Sequence, residues 1–446
     1  MQKEREEQMR KRYLFIGVLV ILVAVALVAV ACGGTSTTTT AAPSTTAAPS
    51  TETTAAPSTE TTAAPSTETT AATGPATGEP IKIGFSNSLT GAAAAPGASV
   101  DNGVKLQIEW VNANGGVNGR PLQLVEYDDK SDVPTAIANI NKLIQQDQVF
   151  ATIGPFAQFM QEPARQIAEQ TKTPMVGDGP ATLDQLAGTQ YQWSVMTAAG
   201  PPPQADAVDK IIKANGWKNV LALGDVLSID QETLDLVVKA AAAGGYTFTK
   251  MPDTFGLDQQ DFQPILNKIL DQYNKLKPDA LILYVNPLAF PPLYKGLRGL
   301  NVTVPILGGT ACAHPAIFAM GPQAVDGAFV MDSGGNVNPQ ALPDSWPSKP
   351  LQLDFAQRYM AKYNSPPDFF AADGADLINV LVAALKQAGG ADDKAKLQQA
   401  LINLKDLPTL EGVMNFAPDA TSMGIHGNMV EWVVKNAQFQ LVNTIN

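Results

Sequence analysis

Lys277-Pro278-Asp279-Ala280-Leu281-Ile282-Leu283-Tyr284 reads as a turn followed by a strand without a polar face. Pro278 sets the turn, and the apolar run after it does not alternate. A strand that is apolar on both sides belongs to a parallel sheet covered by helices on both faces. The neighbouring sequence repeats this beat. Asp261 can cap a helix with Pro264 in its first turn, and Val304–Leu307 is another short strand. Upstream come Val220–Leu223 as a strand, Leu234–Ala243 as a helix and Tyr246–Lys250 as a strand. Before the break at Pro201-Pro202-Pro203 there is an earlier series. Its strands are Ile81–Phe85, Leu122–Tyr127, Val149–Ile153 and Pro174–Gly177. Val100, Val104, Ile108 and Val111 recur at helical spacing, as do Ala136, Ile140, Leu143 and Ile144, and Pro163–Thr171 is helical. Two β/α series joined near residue 198 predict an α/β chain with two doubly wound lobes. The sequence turns helical over residues 348–404, including Leu377–Leu385, and ends in strands at Met429–Val434 and Phe439–Val442. In such folds ligands sit beyond the carboxyl ends of the strands, here in the cleft between lobes.

The composition narrows the function. The chain has 446 residues, of which 45% are hydrophobic and 16% charged, so most of it can bury a core. Its formal net charge of −12 opposes phosphate backbones, and no nucleic-acid partner is expected. Two Cys and two His are too few for a Cys/His zinc cluster or a disulfide scaffold. There is no nucleotide-binding glycine loop, nucleophile elbow or metal-ligand helix motif, so no cofactor is expected.

The N-terminus reads as an address. Arg10-Lys11-Arg12 precedes an uncharged apolar run of 18 residues, Leu14–Ala31. Val28-Ala29-Val30-Ala31-Cys32 resembles a bacterial lipobox, which implies a signal peptide over 1–31, cleavage before Cys32 and lipid on its thiol. An uncleaved membrane anchor is the alternative, and both place the rest of the chain outside the cytoplasmic membrane. Residues 33–79 repeat the octad Thr-Thr-Ala-Ala-Pro-Ser-Thr-Glu from Thr45, Thr53 and Thr61. They carry no large apolar residue and read as a disordered tether. Its 47 residues span roughly 35–40 Å as a flexible chain.

A set of short motifs adds a resemblance. Ile81-Lys82-Ile83-Gly84, Leu89-Thr90-Gly91, Asn114–Arg120 and Val125–Asp129 occur in order, followed by Asp261-Phe262, Lys277-Pro278-Asp279 and Gly327-Ala328. Together they resemble the type I periplasmic-binding proteins of the leucine/isoleucine/valine-binding kind, over about residues 80–446. The resemblance implies two Rossmann-like lobes with parallel sheets, joined by a three-strand hinge. It places the crossovers near Thr197, near Asp332 and between Glu411 and Asn428. Lobe I would be 80–197 with 333–410, and lobe II 198–332 with 411–446. It further implies a monomeric, lipid-anchored extracytoplasmic receptor, not an enzyme, that presents a small ligand to the permease of an ABC importer. A cell-surface receptor that signals to a membrane partner is the alternative.

The ligand clamp is where this sequence departs from the resemblance. A zwitterionic ligand needs hydroxyl and backbone donors for its carboxylate and an acceptor for its ammonium. Gln158 falls near the position of the usual Ser, Ile229-Asp230 on the usual Tyr-Gly, Thr310 near the usual acidic residue, and Pro96 on the expected aromatic. The expected ligand contacts are Ser88, Gln158, Phe159, Asp178, Gly179, Asp225, Ile229, Asn286 and Thr310. The departures argue against a simple branched-chain amino acid and leave amino acids, amides and organic acids open. Each candidate also has an ordinary reading. Phe159 and Met160 fit a helix start in the core, and Asp225 fits a turn. Asp128, Asp129 and Asp132 could hold a cation but fit a solvated turn better. Cys312 and His314 follow a strand and could form a nucleophile pair, although residues at i and i+2 seldom meet; a buried small hydrophobe is the preferred reading of Cys312.

Overall fold

The computed structural model describes residues 74–179, 191–257, 259–416 and 428–445. The expected signal peptide, Cys32 and most of the tether lie outside these residues. The end of the tether does not: the N–H groups of Ala76, Thr77 and Gly78 donate to the carbonyls of Asn112 and Gly119. These bonds attach residues 76–78, assigned to the tether from sequence, to the body of the chain. These small residues fit against the Gly115–Arg120 turn, and their backbone bonds need no side chain, which is why composition alone hid them.

The strands are β1 (Ile81–Asn87), β2 (Leu122–Asp128), β3 (Ala151–Ile153), β4 (Met175–Gly177), β5 (Ser194–Met196), β6 (Asn219–Gly224) and β7 (Thr247–Lys250). They continue as β8 (Ala280–Tyr284), β9 (Ile306–Gly308), β10 (Phe329–Ser333), β11 (Leu407–Thr409), β12 (Gly412–Met414), β13 (Met429–Lys435) and β14 (Gln438–Ile445). The helices are α1 (Ala94–Ala113), α2 (Val133–Gln145), α3 (Gln158–Thr171), α4 (Pro201–Ala214) and α5 (Ser228–Gly244). The remainder are α6 (Gln263–Leu276), α7 (Phe290–Gly299), α8 (Lys349–Tyr363), α9 (Phe369–Gln387) and α10 (Lys394–Ile402).

The first sheet has the order β2-β1-β3-β4-β5 and is wholly parallel. The second has the order β14-β13-β10-β9-β8-β6-β7. It is parallel from β10 to β7, with β13 antiparallel to β10 and β14 antiparallel to β13. The C-terminal strands thus close one edge as a hairpin that turns at Asn436-Ala437. All five residues of β8 are buried, as its apolar run requires.

Alternation along the second sheet divides its cover. Val220, Ala222, Ala280 and Ile282 face a core shared with the first sheet. Leu221, Leu223, Leu281 and Leu283 face a separate core built with Phe290, Leu293 and Trp432. Each of these large aliphatic side chains contributes about 1.5–3 kcal/mol through burial. Three helix starts carry acidic caps: Asp132 accepts from Thr135 N, Asp368 from Ala371 N and Asp393 from Ala395 N. Asp261 does not cap α6 as expected: the N-cap is Phe262, and Asp261 accepts from Gln263 N at 3.0 Å one residue earlier, with Pro264 in the first turn. Helices α3 and α5 begin earlier than their apolar periods suggest, because their first turns lack a regular apolar stripe, whereas α9 starts inside the stretch expected to be helical. Gly97 lies inside α1, where a Cβ would come within 2.1 Å of the Ser88 carbonyl oxygen. Among the described residues no helix is long and apolar enough to cross a membrane.

Candidate functional site

The residues proposed from sequence follow β1, β3, β4, β6, β8 and β9 at their carboxyl ends. Much of their polar capacity is already committed to holding the loops. The Ser88 hydroxyl is buried and donates to Asp129 Oδ1 at 2.7 Å. Asp128 accepts from the N–H groups of Leu89, Thr90 and Lys130 and from the Thr90 hydroxyl. With Asp132 capping α2, all three acids of this turn serve local structure. Among the described residues no His, Cys, Asp and Glu side chains are grouped to hold a metal ion.

Gln158 opens α3, and its side chain lies outside the described residues. Phe159, next to it, is 58% exposed, whereas Met160 is packed against Ala136 and Ala157. Of the two, only Phe159 is available at the surface. Phe156, in the loop after β3, meets the edge of Phe370 at 5.4 Å between centroids. Phe370 in turn lies 5.5 Å from the His314 ring. This row of rings links the loop after β3, the start of α9 and the segment after β9.

After β6, Asp225 is fully buried. Its Oδ1 accepts from Leu227 N at 3.0 Å, and its Oδ2 from Asn286 N at 2.9 Å and Asn286 Nδ2 at 3.3 Å. Asn286 Oδ1 accepts from the N–H groups of Leu288 and Ala289, turning the chain into α7. The loops after β6 and β8 are thus tied by one carboxylate and one amide. Replacing Asn286 with Ala is expected to cost about 1–3 kcal/mol, read as a lower urea midpoint, because Asp225 loses a donor and two N–H groups lose their acceptor. Ile229 is buried in the first turn of α5 beside Asp230. Burial drives the Asp230 carboxyl well above its ordinary range, and Asp225 adds to the shift as neighbouring charge and hydrogen-bond partner. After β9, the Thr310 hydroxyl donates to Gln204 Oε1 at 3.2 Å, and the Tyr284 hydroxyl donates to the same oxygen. Gln204 is itself fixed by donation to the Ala199 carbonyl at 2.7 Å.

Cys312 lies beneath this group, fully buried, with its thiol donating to the Val285 carbonyl at 3.3 Å. Burial, then Asp230, pushes the thiol well above its ordinary range, the opposite of what a nucleophile needs. His314 Nδ1 accepts from Ala316 N and does not pair with Cys312. The pair is a packing and capping arrangement.

The first sheet presents a different electrostatic feature. Asp178 follows β4, is buried, and its Oδ2 has no hydrogen-bond partner among the described residues; Gly179 beside it takes φ +83°. Burial raises the Asp178 carboxyl, and Asp373 raises it further. Asp373 pairs with Glu411, both raised chiefly by burial. Asp376, one turn along α9, accepts from the N–H groups of Leu410 and Glu411 at 2.9 Å each and is raised to about 6 by burial. Gln204, Phe370, Asp373 and Glu411 were not foreseen from sequence as part of the site, and Asp230 was read only as a departure at the usual Tyr-Gly. The only signal for Asp373 and Asp376 was two acids spaced i, i+3 at the start of an apolar helix.

The structure therefore brings Asp225, Asn286, Ile229 and Thr310 to the edge of the second sheet, and Ser88, Phe159, Asp178 and Gly179 to that of the first. Among the described residues no hydrogen bond joins the two sets.

Known proteins match this arrangement along its length. The family model described as periplasmic binding protein matches residues 80–437. The Leu/Ile/Val-binding protein BraC3 of Rhizobium johnstonii is 24% identical over 355 residues, covering 79% of this chain and 91% of that protein. The leucine-, isoleucine-, valine-, threonine- and alanine-binding protein of Pseudomonas aeruginosa is 22% identical, covering 79% and 90%. The crystal structure of a leucine-binding protein from Thermotoga maritima superposes with a TM-score of 0.67 at 23% identity, covering 82% of this chain and 99% of that one. A branched-chain amino acid transporter substrate-binding protein from Streptococcus pneumoniae, solved with isoleucine, gives 0.66 at 21% identity, with 82% and 99% covered. With two doubly wound sheets and a family match over most of its length, this chain belongs to the periplasmic binding protein family, in the type I fold, and is a solute-binding protein rather than an enzyme.

Proposed function

We propose that the chain is an extracytoplasmic receptor of an ABC importer that closes on a small ligand between its two lobes and delivers it to a permease. Lobe I comprises 80–197 with 333–410 and lobe II 198–332 with 411–446. Cleavage before Cys32 and lipid on its thiol hold the receptor at the membrane through the tether. The ligand is an amino acid, amide or organic acid, in line with relatives named for binding leucine, isoleucine and valine. The observation that carries the site is Asp178: a buried carboxyl at the carboxyl end of β4 with an oxygen that no group among the described residues satisfies. An ammonium or amide N–H of the ligand supplies the missing donor there, and Ser88, Gln158, Phe159, Gly179, Asp225, Ile229, Asn286 and Thr310 line or support the cleft.

The test is thermal shift and calorimetry on the chain after unfolding and refolding to strip bound ligand. The panel is branched-chain amino acids, short amides, and aliphatic and aromatic carboxylates. A true ligand at 100 times its Kd adds about 2.7 kcal/mol. Asp178→Asn is expected to weaken that ligand about 10- to 100-fold while leaving the unliganded chain as stable or more so, since a buried acid is replaced by a neutral amide. A ligand bound equally well by the Asn variant would remove Asp178 from the site. A flat response across the panel would sink the receptor reading for these classes.

A further inference from the structure

A cavity of about 210 Å³ opens where β10 leaves the second sheet and meets α8 and α9. It shares none of the nine residues proposed for the cleft. Its walls are apolar: Phe355, Phe369, Val337 and the rings of Pro315, Pro366 and Pro367. Its polar lining is unusual in sign. Asp332 is nearly fully buried and receives the Trp432 Nε1–H at 3.3 Å together with the backbone N–H groups of Gly335 and Val337, so the acceptor left open in the lining is that of Gln352. Gln352 is 2% exposed and donates from Nε2 to the carbonyls of Gly334 and Leu410 at 2.7 Å each. That leaves Gln352 Oε1 accepting nothing. Glu411 follows Leu410, pairs with Asp373, and lies close enough to Asp332 for their charges to interact. The partly buried Asp368 also lines the cavity, but its oxygens serve Ser99 and Ala371. No Lys or Arg is in the lining. The one unused donor is Asn336 Nδ2.

A buried acceptor without a donor costs free energy, and acidic groups in a low-dielectric setting favour a compensating cation. The apolar walls require that the cation carry a hydrocarbon body. Size sets the scale: a dry apolar cavity of about 150 Å³ holds benzene. The larger volume here takes a ring or branched chain together with a charged head.

We propose that this cavity is a second binding site, for a small primary ammonium compound with an aliphatic or aromatic body. Its head group donates to Gln352 Oε1, with Asp332 in the same lining, and its body packs on Phe355, Phe369 and the prolines. A hydroxyl or carbonyl oxygen on the same molecule would meet Asn336 Nδ2. Because the walls come from both sides of the β10 exit, occupancy fastens Pro315 to α8 and α9.

The test uses the full chain with benzylamine as probe and benzyl alcohol as its neutral isostere, followed by calorimetry and thermal shift. Benzylamine is expected to bind at least tenfold more tightly than benzyl alcohol. Ala356→Leu and Ala372→Leu, which fill the cavity from α8 and α9, are expected to weaken benzylamine at least tenfold. Ala356 is the less buried of the two, so its variant keeps the test available if Ala372→Leu does not fold. Equal binding of amine and alcohol would overturn the charge assignment. Unchanged amine binding in a folded Ala356→Leu chain, or no binding of benzylamine, would overturn the site. Neither result bears on ligands of the cleft, which are read with the separate panel.

Discussion

Raising the pH from about 4 to about 8 is expected to lower the melting temperature of this chain progressively. The cause is the set of acids buried without cations. Burial pushes Asp332 up to about 7, and Asp376 and Glu431 up to about 6. Asp178, Asp230, Asp373 and Glu411 move in the same direction. In the unfolded chain these groups release their protons near pH 4. Between that pH and the folded values, the native state holds protons that the unfolded state has given up, so stability falls as pH rises. The contribution is fully present below about pH 4 and is lost by the time pH passes about 7 for Asp332. Each unit of separation is worth about 1.4 kcal/mol, so Asp332 alone accounts for a loss on the order of 4 kcal/mol. Asp128, Asp132 and Asp344 are shifted the other way, but they lie at the surface, where solvent screens the effect. Melting curves across this range, for the natural chain and for Asp332→Asn, measure the effect. The Asn variant should lose the part of the slope between about 4 and 7. A flat or rising profile in the natural chain would show that the buried acids find compensation in the folded state.

The second large effect lies where α1 crosses α9. A Cβ at Gly103 would sit 2.0 Å from the Ala371 carbonyl oxygen, and one at Gly374 would sit 2.1 Å from that of Val100. The two glycines are reciprocal, each letting the other helix's backbone approach. Alanine is the better helix former by about 1 kcal/mol, so propensity alone favours substitution. The contact decides otherwise, because backbone cannot yield as a flexible side chain can. Gly374→Val forces the helices apart and disturbs Val100, Val104, Leu377 and Ile378 in the shared core. The expected cost is about 3 kcal/mol or more, near the upper end for overpacking. Gly299→Ala, at a helix end with open space around it, is the control and should change stability by less than about 1 kcal/mol. Denaturation midpoints compare the two. A Gly374→Val chain as stable as the Gly299→Ala chain would mean that the crossing relaxes freely.

The architecture was readable where burial dictates composition. The unbroken Ala280–Tyr284 run announced a central parallel strand, and β8 has β6 and β9 on its two sides. The C-terminal hairpin was readable as strands but not in its antiparallel pairing, since pairing depends on a partner, β10, far away in sequence. The site was readable as a set of loops and much less as chemistry. Sequence marks Ser88, Asp225 and Thr310 as polar groups at strand ends. It does not reveal that Asp129, Asn286 and Gln204 engage them. Asp373, Glu411 and Gln352 escaped notice for the same reason: their significance lies in what does not reach them, and that is a property of the folded chain alone.

The crossing of α1 and α9 also bears on when this chain can fold. Gln107 of α1 bonds Asn379 of α9 across 272 positions, and Asp332 bonds Trp432 across 100. Contacts this distant in sequence form slowly, because the loops they close are long. All five strands of the first sheet are made well before α9, which covers them, and the second sheet lacks its edge until β13 and β14 follow. Both cores are therefore completed only once α9 and the β13–β14 hairpin, which lie far along the chain from the strands they cover and pair with, are in place.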